Sequence, residues 1–531
     1  MKPQKSLINA IVYFSLCHML IVQWPLIKQV LRMVDITTLN GAYALVVVEI
    51  IQLCLFVAVL GVVSIVSVTA MRIVAGALLI ADVVALYFMV AFGILLNQEM
   101  IANILNTDSG EVSALIDWKI FAWGTILGIM PALWFLRIKI APTTVWRRLL
   151  IAPVALGVLA AVLALSPKTT NWIDKNGLDL GGRILPWSYV ANTVRYFDQD
   201  HARYMRDQVQ LPDPTVTPTG AGLVVLVIGE SARPKSFAFY GYDRDTNPNT
   251  RATGYRPLPA SDACATATIG GVACILSRRG RDERQGVPEE PLPSYLTRQG
   301  IKTIVHSNNT GLPRLRVDAA LVGSQLAEIC TQDFCAERFD HSCVSGICDD
   351  IFPDGVLLSG VGDIAHSALT QPTLLVLHMG GSHGPNYFQK YPQKYAAFDP
   401  VCTDKFVSRC DTQQLKNAYD NTIVYTDAVL GELAHALGGV AGLKATVLYT
   451  SDHGESLGED GYYAHAAPVA SAPAYQLQVP FLVWQSDAAR QAIVNADVAA
   501  QDAIFHTVLG QFGLTQGGVY RAENDIFAAP N

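Results

Sequence analysis

The stretch GLVVLVIGES, residues 222–231, decides the fold. Six consecutive apolar residues lead straight into a glycine and then a carboxylate, Glu230. A run this short, apolar at both odd and even positions, suits a strand buried on both faces rather than one with a wet side. Four more runs share its character: KTIVHSNN (302–309), PTLLVLHMGG (372–381), ATVLYTSDHG (445–454) and VPFLVW (479–484). Helix-length stretches separate them. The pattern predicts an α/β domain with a mostly parallel, doubly wound sheet. In such sheets the site lies beyond the carboxyl ends of the strands. Polar residues collect there: Glu230, Asn309, His383, Asp452 and His453.

The chain has 531 residues, a formal net charge of −7, and a sharp change of composition near residue 167. Before that point it is mostly apolar. Five runs of spanning length, about 20 residues each, fall near 7–31, 43–69, 72–96, 118–136 and 149–166. A signal peptide is the alternative reading of the first run, but no small-residue cleavage pattern follows it. Lys2, Lys5, Arg72, Arg137, Lys139, Arg147 and Arg148 mark the loops expected in the cytoplasm. An odd number of spans then puts everything after about 167 on the far side. The expected domains are a five-helix membrane domain (1–166), an interfacial helix and Pro-rich linker (167–220), and a catalytic domain (221–531). No basic run of a length suited to nucleic acid occurs.

Within the spans, Glu49 and Asp82 are costly membrane carboxylates that need partners. Helix packing is their expected role, ahead of substrate contact. Ten cysteines are present. Cys17 and Cys54 lie in spans. The other eight sit in close pairs on the expected outer side, which reads as disulfides. Cys264–Cys274 and Cys402–Cys410 are the expected bonds. The middle four, Cys330, Cys335, Cys343 and Cys348, allow three pairings, and chain order favours 330–335 with 343–348.

Asp452 and His453, side by side after a strand, offer oxygen and nitrogen donors of the kind that bind zinc. Glu230 faces the same crevice, or else begins the next helix as a capping acid. His383 and His465 flank this set, against the plainer reading of a hydrogen-bonded structural histidine. Spacing alone does not choose between Thr266 and Thr268 in CATATIGGVAC (264–274).

The order VIGES, CATATIGGVAC, NNTG, SHGPNYF, NAYDNTIVYTD and SDHGESLGEDGYYAH resembles the lipid A phosphoethanolamine transferases, which include the mobile colistin-resistance enzymes, in the alkaline phosphatase/sulfatase superfamily. The resemblance covers nearly the whole chain. It implies that Glu230, Thr268, Asp452 and His453 hold one zinc. It implies that Thr268 is the nucleophile and carries phosphoethanolamine, leaving Thr266 with the smaller effect on loss. It implies that His383 and His465 bind the phosphate and hold a second zinc in some states; on chemical grounds, one of the two is expected to act as general acid for the leaving diacylglycerol and later as base for the acceptor. Asn309 would touch the headgroup, and Asn103, Thr107 and Glu111 the lipid substrate. The implied donor is phosphatidylethanolamine and the acceptor a phosphate or sugar of lipid A or lipopolysaccharide. The ethanolamine amine would mask negative charge and confer resistance to cationic peptides such as polymyxin. The implied setting is a Gram-negative inner membrane with a periplasmic catalytic domain, and the chain is expected to act as a monomer. The runner-up is a phosphoglycerol transferase, whose relatives usually lack dense cysteine pairs. A formylglycine sulfatase is disfavoured, because CATAT lacks the C/S-x-P-x-R pattern. The chain departs from the family in GES for the usual GET, and in Pro313 where a lysine is common. Arg314 and Arg316 are the candidates to replace that cation.

Overall fold

The structure is a computed structural model that describes residues 4–106, 118–201, 207–219, 222–284, 287–337, 343–344, 347–348, 352–404 and 406–529. It divides into two compact units, Met1–Gln98 with Ile116–Val194, and Glu99–Leu115 with Arg195–Asn531.

The first unit is helical. Helix α1 (Leu7–Val22) meets α2 (Trp24–Met33) at a 67° bend. Then come α3 (Leu39–Val66) and α4 (Val68–Phe92). The short α5 (Gln98–Asn106) belongs from Glu99 onward to the second unit. Helices α6 (Trp118–Leu136) and α7 (Val145–Leu165) return to the first. Four of these helices are long and apolar enough to cross a membrane, or five if the bent pair is one span. The single first span expected from the sequence is therefore broken. Pro25 has no N–H to continue the ladder of α1 and sits instead at the start of α2. Hydroxyls set the other starts: Ser6, Thr38 and Ser67 each accept a backbone N–H of the helix they precede.

Asp82 finds the partner its burial demands. Its Oδ2 lies 2.6 Å from His18 Nε2, with both side chains out of contact with solvent. The pair ties α1 to α4. Beyond α7, the amphipathic segment forms α8 (Pro167–Lys175) and α9 (Trp187–Arg195).

The second unit is built on a seven-stranded sheet. Its strands are β1 (Leu223–Gly229), β2 (Arg256–Asp262), β3 (Lys302–Ser307), β4 (Ala319–Val322), β5 (Thr373–His378), β6 (Ala445–Ser451) and β7 (Gln478–Gln485). They lie in the order β2-β7-β6-β1-β5-β3-β4. The β6, β1, β5, β3 and β4 pairings are parallel; β7 runs antiparallel to both β6 and β2.

The opening run explains why β1 is central. Val225 and Val227 enter one core, and Val224, Leu226 and Ile228 enter the other. Helix α10 (Thr268–Ile275) starts right after the threonine loop. Helix α11 (Thr412–Gly438) supplies Tyr419, Ile423 and Leu430 to the first core, and α12 (Ala500–Gln511) supplies Ile504, Phe505 and Val508 to the second. Helices on both faces keep the interior of β1 wholly apolar, while β3 and β6 admit buried polar residues such as Thr303, His306 and Thr446.

The disulfides Cys264–Cys274, Cys330–Cys335 and Cys402–Cys410 are formed, and Cys17 and Cys54 are free thiols. The backbones of Cys343 and Cys348 pair in a short antiparallel ladder; their side chains lie outside the described ones.

Phe505 is fully buried against the sheet and packs near Tyr295, with ring centroids 6.2 Å apart. Phe505→Ala is expected to cost about 3–5 kcal/mol, read as a lower denaturant midpoint of the full chain. Truncating the exposed Val494 the same way should leave the midpoint nearly unchanged.

Candidate active site

The parallel register of β1 and β6 brings Gly229 opposite Ser451. The next residue of each strand is a carboxylate, so Glu230 and Asp452 leave the sheet side by side. Both are buried, as is His453. One ligand atom from each of the three lies within 4.8 Å of the others.

The hydrogen bonds around this trio leave selected atoms over. Asp452 Oδ1 accepts from the backbone N–H of Ser231 (3.1 Å) and of His453 (2.7 Å). Its Oδ2 has no hydrogen-bond partner, although it is buried. His453 Nδ1 lies 2.8 Å from the carbonyl of Gly454. A carbonyl only accepts, so Nδ1 holds the hydrogen and Nε2 of the neutral ring keeps its lone pair. That Nε2 is also buried without a hydrogen-bond partner, 3.3 Å from Asp452 Oδ2 and 3.4 Å from Glu230 Oε1.

Charge makes the same point. Burial opposes ionisation of Glu230, and only positive charge at the positions of His453 and His383 outweighs it and holds the carboxyl below its usual range; with the rings neutral, that charge has to come from a cation. Asp452 is pushed well above its own range by burial and by the neighbouring Glu230 charge. Two carboxylates this close and this dry do not both ionise without a cation between them. Orphaned donors and unbalanced charge fit a bound divalent cation.

Thr268 opens α10, and its hydroxyl donates to Glu230 Oε2 at 3.1 Å. The structure thus brings Thr268 to the donor set. The hydroxyl of Thr266 turns elsewhere, to the carbonyl of Ala467 and to Glu99. Asn309 Nδ2 donates to the same Glu230 Oε2 (2.9 Å) and to the carbonyl of Met379 (3.0 Å). His465 stacks toward the trio, its ring centroid 4.4 Å from that of His453 and 5.3 Å from that of His383. Asn103 shares one cleft with Ala267, Ile269, Pro313 and Arg314. Thr107 and Glu111 lie outside the described residues.

Supporting residues were missed by the sequence reading. Glu455 Oε2 accepts from His465 Nδ1 at 2.9 Å, and the Tyr387 hydroxyl donates to its other oxygen. Burial pushes the Glu455 carboxyl up to about 7. Asp354 accepts the N–H groups of Gly380 (2.8 Å) and Gly381 (2.7 Å), which shapes the turn that presents His383. Gln501, on α12, donates to the carbonyls of Ser451 and Asp452 and accepts from the N–H of Cys264. It joins the threonine loop to the end of β6. Glu455 was visible in SDHGES as an extra carboxylate beside the ligand pair; Asp354 and Gln501 carried no local signal.

This fold and donor set define a sulfatase-type catalytic domain, and residues 223–514 match the Sulfatase family. Residues 52–201 match a second family, Phosphoethanolamine transferase EptA/EptB. The chain is 33% identical over 437 residues to the phosphoethanolamine transferase EptA of Helicobacter pylori, which spans 81% of this chain and 79% of that one. It is 30% identical over 458 residues to the phosphatidylethanolamine transferase Mcr-1 of Escherichia coli, covering 82% and 83% of the two chains. Its structure superposes on the lipooligosaccharide phosphoethanolamine transferase A of Neisseria meningitidis with a TM-score of 0.84, at 25% identity and 99% coverage of both. The chain belongs to the phosphoethanolamine transferase family.

Gly271 lies one turn into α10, where a Cβ would fall 2.3 Å from the carbonyl oxygen of Asp452. Helix and ligand loop meet backbone to backbone. Gly271→Ala is expected to push Thr268 off Glu230 and lower kcat at least tenfold, measured on purified full-length enzyme.

Proposed function

We propose that this chain transfers phosphoethanolamine from phosphatidylethanolamine to a phosphate or sugar of lipid A or lipopolysaccharide, through a covalent phospho-Thr268 intermediate. The observation that carries this reading is the Thr268 hydroxyl at the N-terminus of α10, 3.1 Å from Glu230 and beside the two orphaned donors. The working site is the periplasmic face of a Gram-negative inner membrane, and the product resists cationic peptides because its added amine offsets phosphate charge.

Glu230, Asp452, His453 and Thr268 are the residues that would hold zinc. Two oxygens, one nitrogen and a hydroxyl match the four-coordinate preference of that ion. When bound, zinc lowers the pKa of an oxygen nucleophile and offsets negative charge on a phosphoryl group. A cluster of His453, Glu455 and His465 overlaps the first set at His453 and adds Glu455 and His465 beside it.

The chain's own groups then do the transfer. Thr268 Oγ1 attacks phosphorus, the Thr–O–P bond forms, and the bond from phosphorus to the diacylglycerol oxygen breaks. The proton lost by Thr268 is matched by one delivered to that oxygen. His465 is suited to deliver it, since Glu455 holds Nδ1 and leaves Nε2 for the substrate. In the second displacement the acceptor oxygen attacks phosphorus and gives its proton to His465, now a base, while Thr268 leaves and regains the proton it lost in the first step. The N-terminal amides of α10 favour the phosphoryl charge in both steps. Splitting the reaction lets one crevice serve two lipids in turn.

The test is mass spectrometry of lipopolysaccharide from a host expressing the chain. A gain of phosphoethanolamine on lipid A is expected, and none with Thr268→Ala. The purified protein incubated with donor alone should gain about 123 Da, the covalent adduct, and the Thr268→Ala protein should gain nothing. Full transfer by Thr268→Ala would overturn the mechanism. Zinc analysis should find bound metal in the native chain and its loss in Asp452→Asn, because one of the orphaned donors has then become neutral.

A further inference from the structure

We infer that Thr266 is a positioning residue for His465, clamping the histidine loop to the nucleophile loop; this rests on the phosphoethanolamine-transfer reading above. Thr266 is fully buried, two residues before Thr268. Its backbone carbonyl accepts the N–H of Ala466 at 2.6 Å. Its hydroxyl lies 2.5 Å from the carbonyl of Ala467, an acceptor only. One residue therefore grips both positions that follow His465.

The gripped loop does not hold this shape by itself. Ala464 has φ 58° and Ala466 φ 67°, so His465 sits between two alanines in the left-handed region. Alanine pays a steric penalty there that glycine does not, and such conformations persist only where surrounding contacts impose them. Those contacts come from two sides. Thr266 holds one, and Gln476 Oε1 accepts the N–H of Ala467 at 3.0 Å from the other. Between them, His465 is aimed at Glu455 and at the ring of His453.

The same hydroxyl also meets Glu99 Oε2 at 2.7 Å. Glu99 and Asn103 lie one turn apart on α5, on one face of that helix. The buried oxygen thus lies where three segments meet, the loop that ends in Thr268, the loop that carries His465 and the helix that carries Asn103, and its one hydrogen serves the Ala467 carbonyl or Glu99 at any moment. Thr268 and His465 must act on the same phosphorus in one displacement, and the clamp fixes the distance between them.

The experiment compares Thr266→Val and Thr266→Ser in the full-length enzyme in detergent. Valine keeps the shape and the backbone carbonyl but removes the hydroxyl; serine keeps the hydroxyl. Two readouts are taken. Hydrogen–deuterium exchange of the segment around 463–468 reads the clamp without any need for activity. It should quicken at least tenfold with valine and stay near native with serine. Steady-state kinetics reads the consequence: kcat should fall about tenfold with valine, KM should hold within twofold, and serine should restore kcat to within threefold of native. In a His465→Ala background, Thr266→Val should add little further loss, because its effect passes through that histidine. Unchanged exchange with valine would overturn the clamp whatever the activity. Changed exchange with native kcat, or a full tenfold loss persisting in the His465→Ala background, would overturn its role in turnover. If the native chain itself transfers nothing to lipid A, the phosphoethanolamine reading fails, while the exchange measurement still decides the clamp.

Discussion

Two buried carboxylates placed side by side are the constraint on which the site depends. The parallel register of β1 and β6 allows no other arrangement, since Glu230 and Asp452 each follow the last strand residue of adjacent strands. Two such charges in a dry crevice repel, and only a cation or a proton relieves them. The surroundings suit a cation. Asp452 Oδ1 is saturated by backbone amides while Oδ2 is left over, and the Gly454 carbonyl fixes the His453 tautomer so that its other nitrogen faces inward. Asn309 and Ser231 steady Glu230 from outside. The hydrogen-bonded shell thus aims the donors before any ion arrives, which is how outer partners tune a metal site.

The sheet provides the other half of the design. Five adjacent parallel strands end at one edge, and the interior of the central strand β1 is wholly apolar, so its first polar side chain, Glu230, lies just past the last strand residue. Loops there need support, and it comes from far along the chain. Gln501 reaches from the last long helix to the threonine loop, and Asp354 reaches two amides of the His383 turn. Precision at the site is therefore a property of the whole domain, although the functional groups lie in short motifs.

That division also explains what the sequence made legible. GLVVLVIGES and ATVLYTSDHG announce strand and ligand together, because burial on both faces and a polar terminus are local properties. The sheet class, the central strands and the trio of donors were readable for that reason. Thr268 could not be told from Thr266 by spacing; family register chose it, and in the structure its hydroxyl donates to Glu230. The break at Pro25 was signalled by the proline but read through, since hydropathy averages over a single missing N–H. Asp354 and Gln501 were unreadable, as each acts across more than twenty residues of sequence on a backbone group, and backbone groups have no sequence identity.

The close approach at Gly271 has a further meaning. Where helix α10 rests on the carbonyl of Asp452, no side chain separates the Thr268 segment from the Asp452 segment. Side chains act as adjustable spacers: they change rotamer, breathe with temperature, and can be exchanged for larger or smaller ones. Two backbones in van der Waals contact have none of that latitude. The gap between the Thr268 hydroxyl and its partners is set by a mechanical stop, and so it is a fixed dimension of the fold rather than one that drift in the neighbouring sequence can tune.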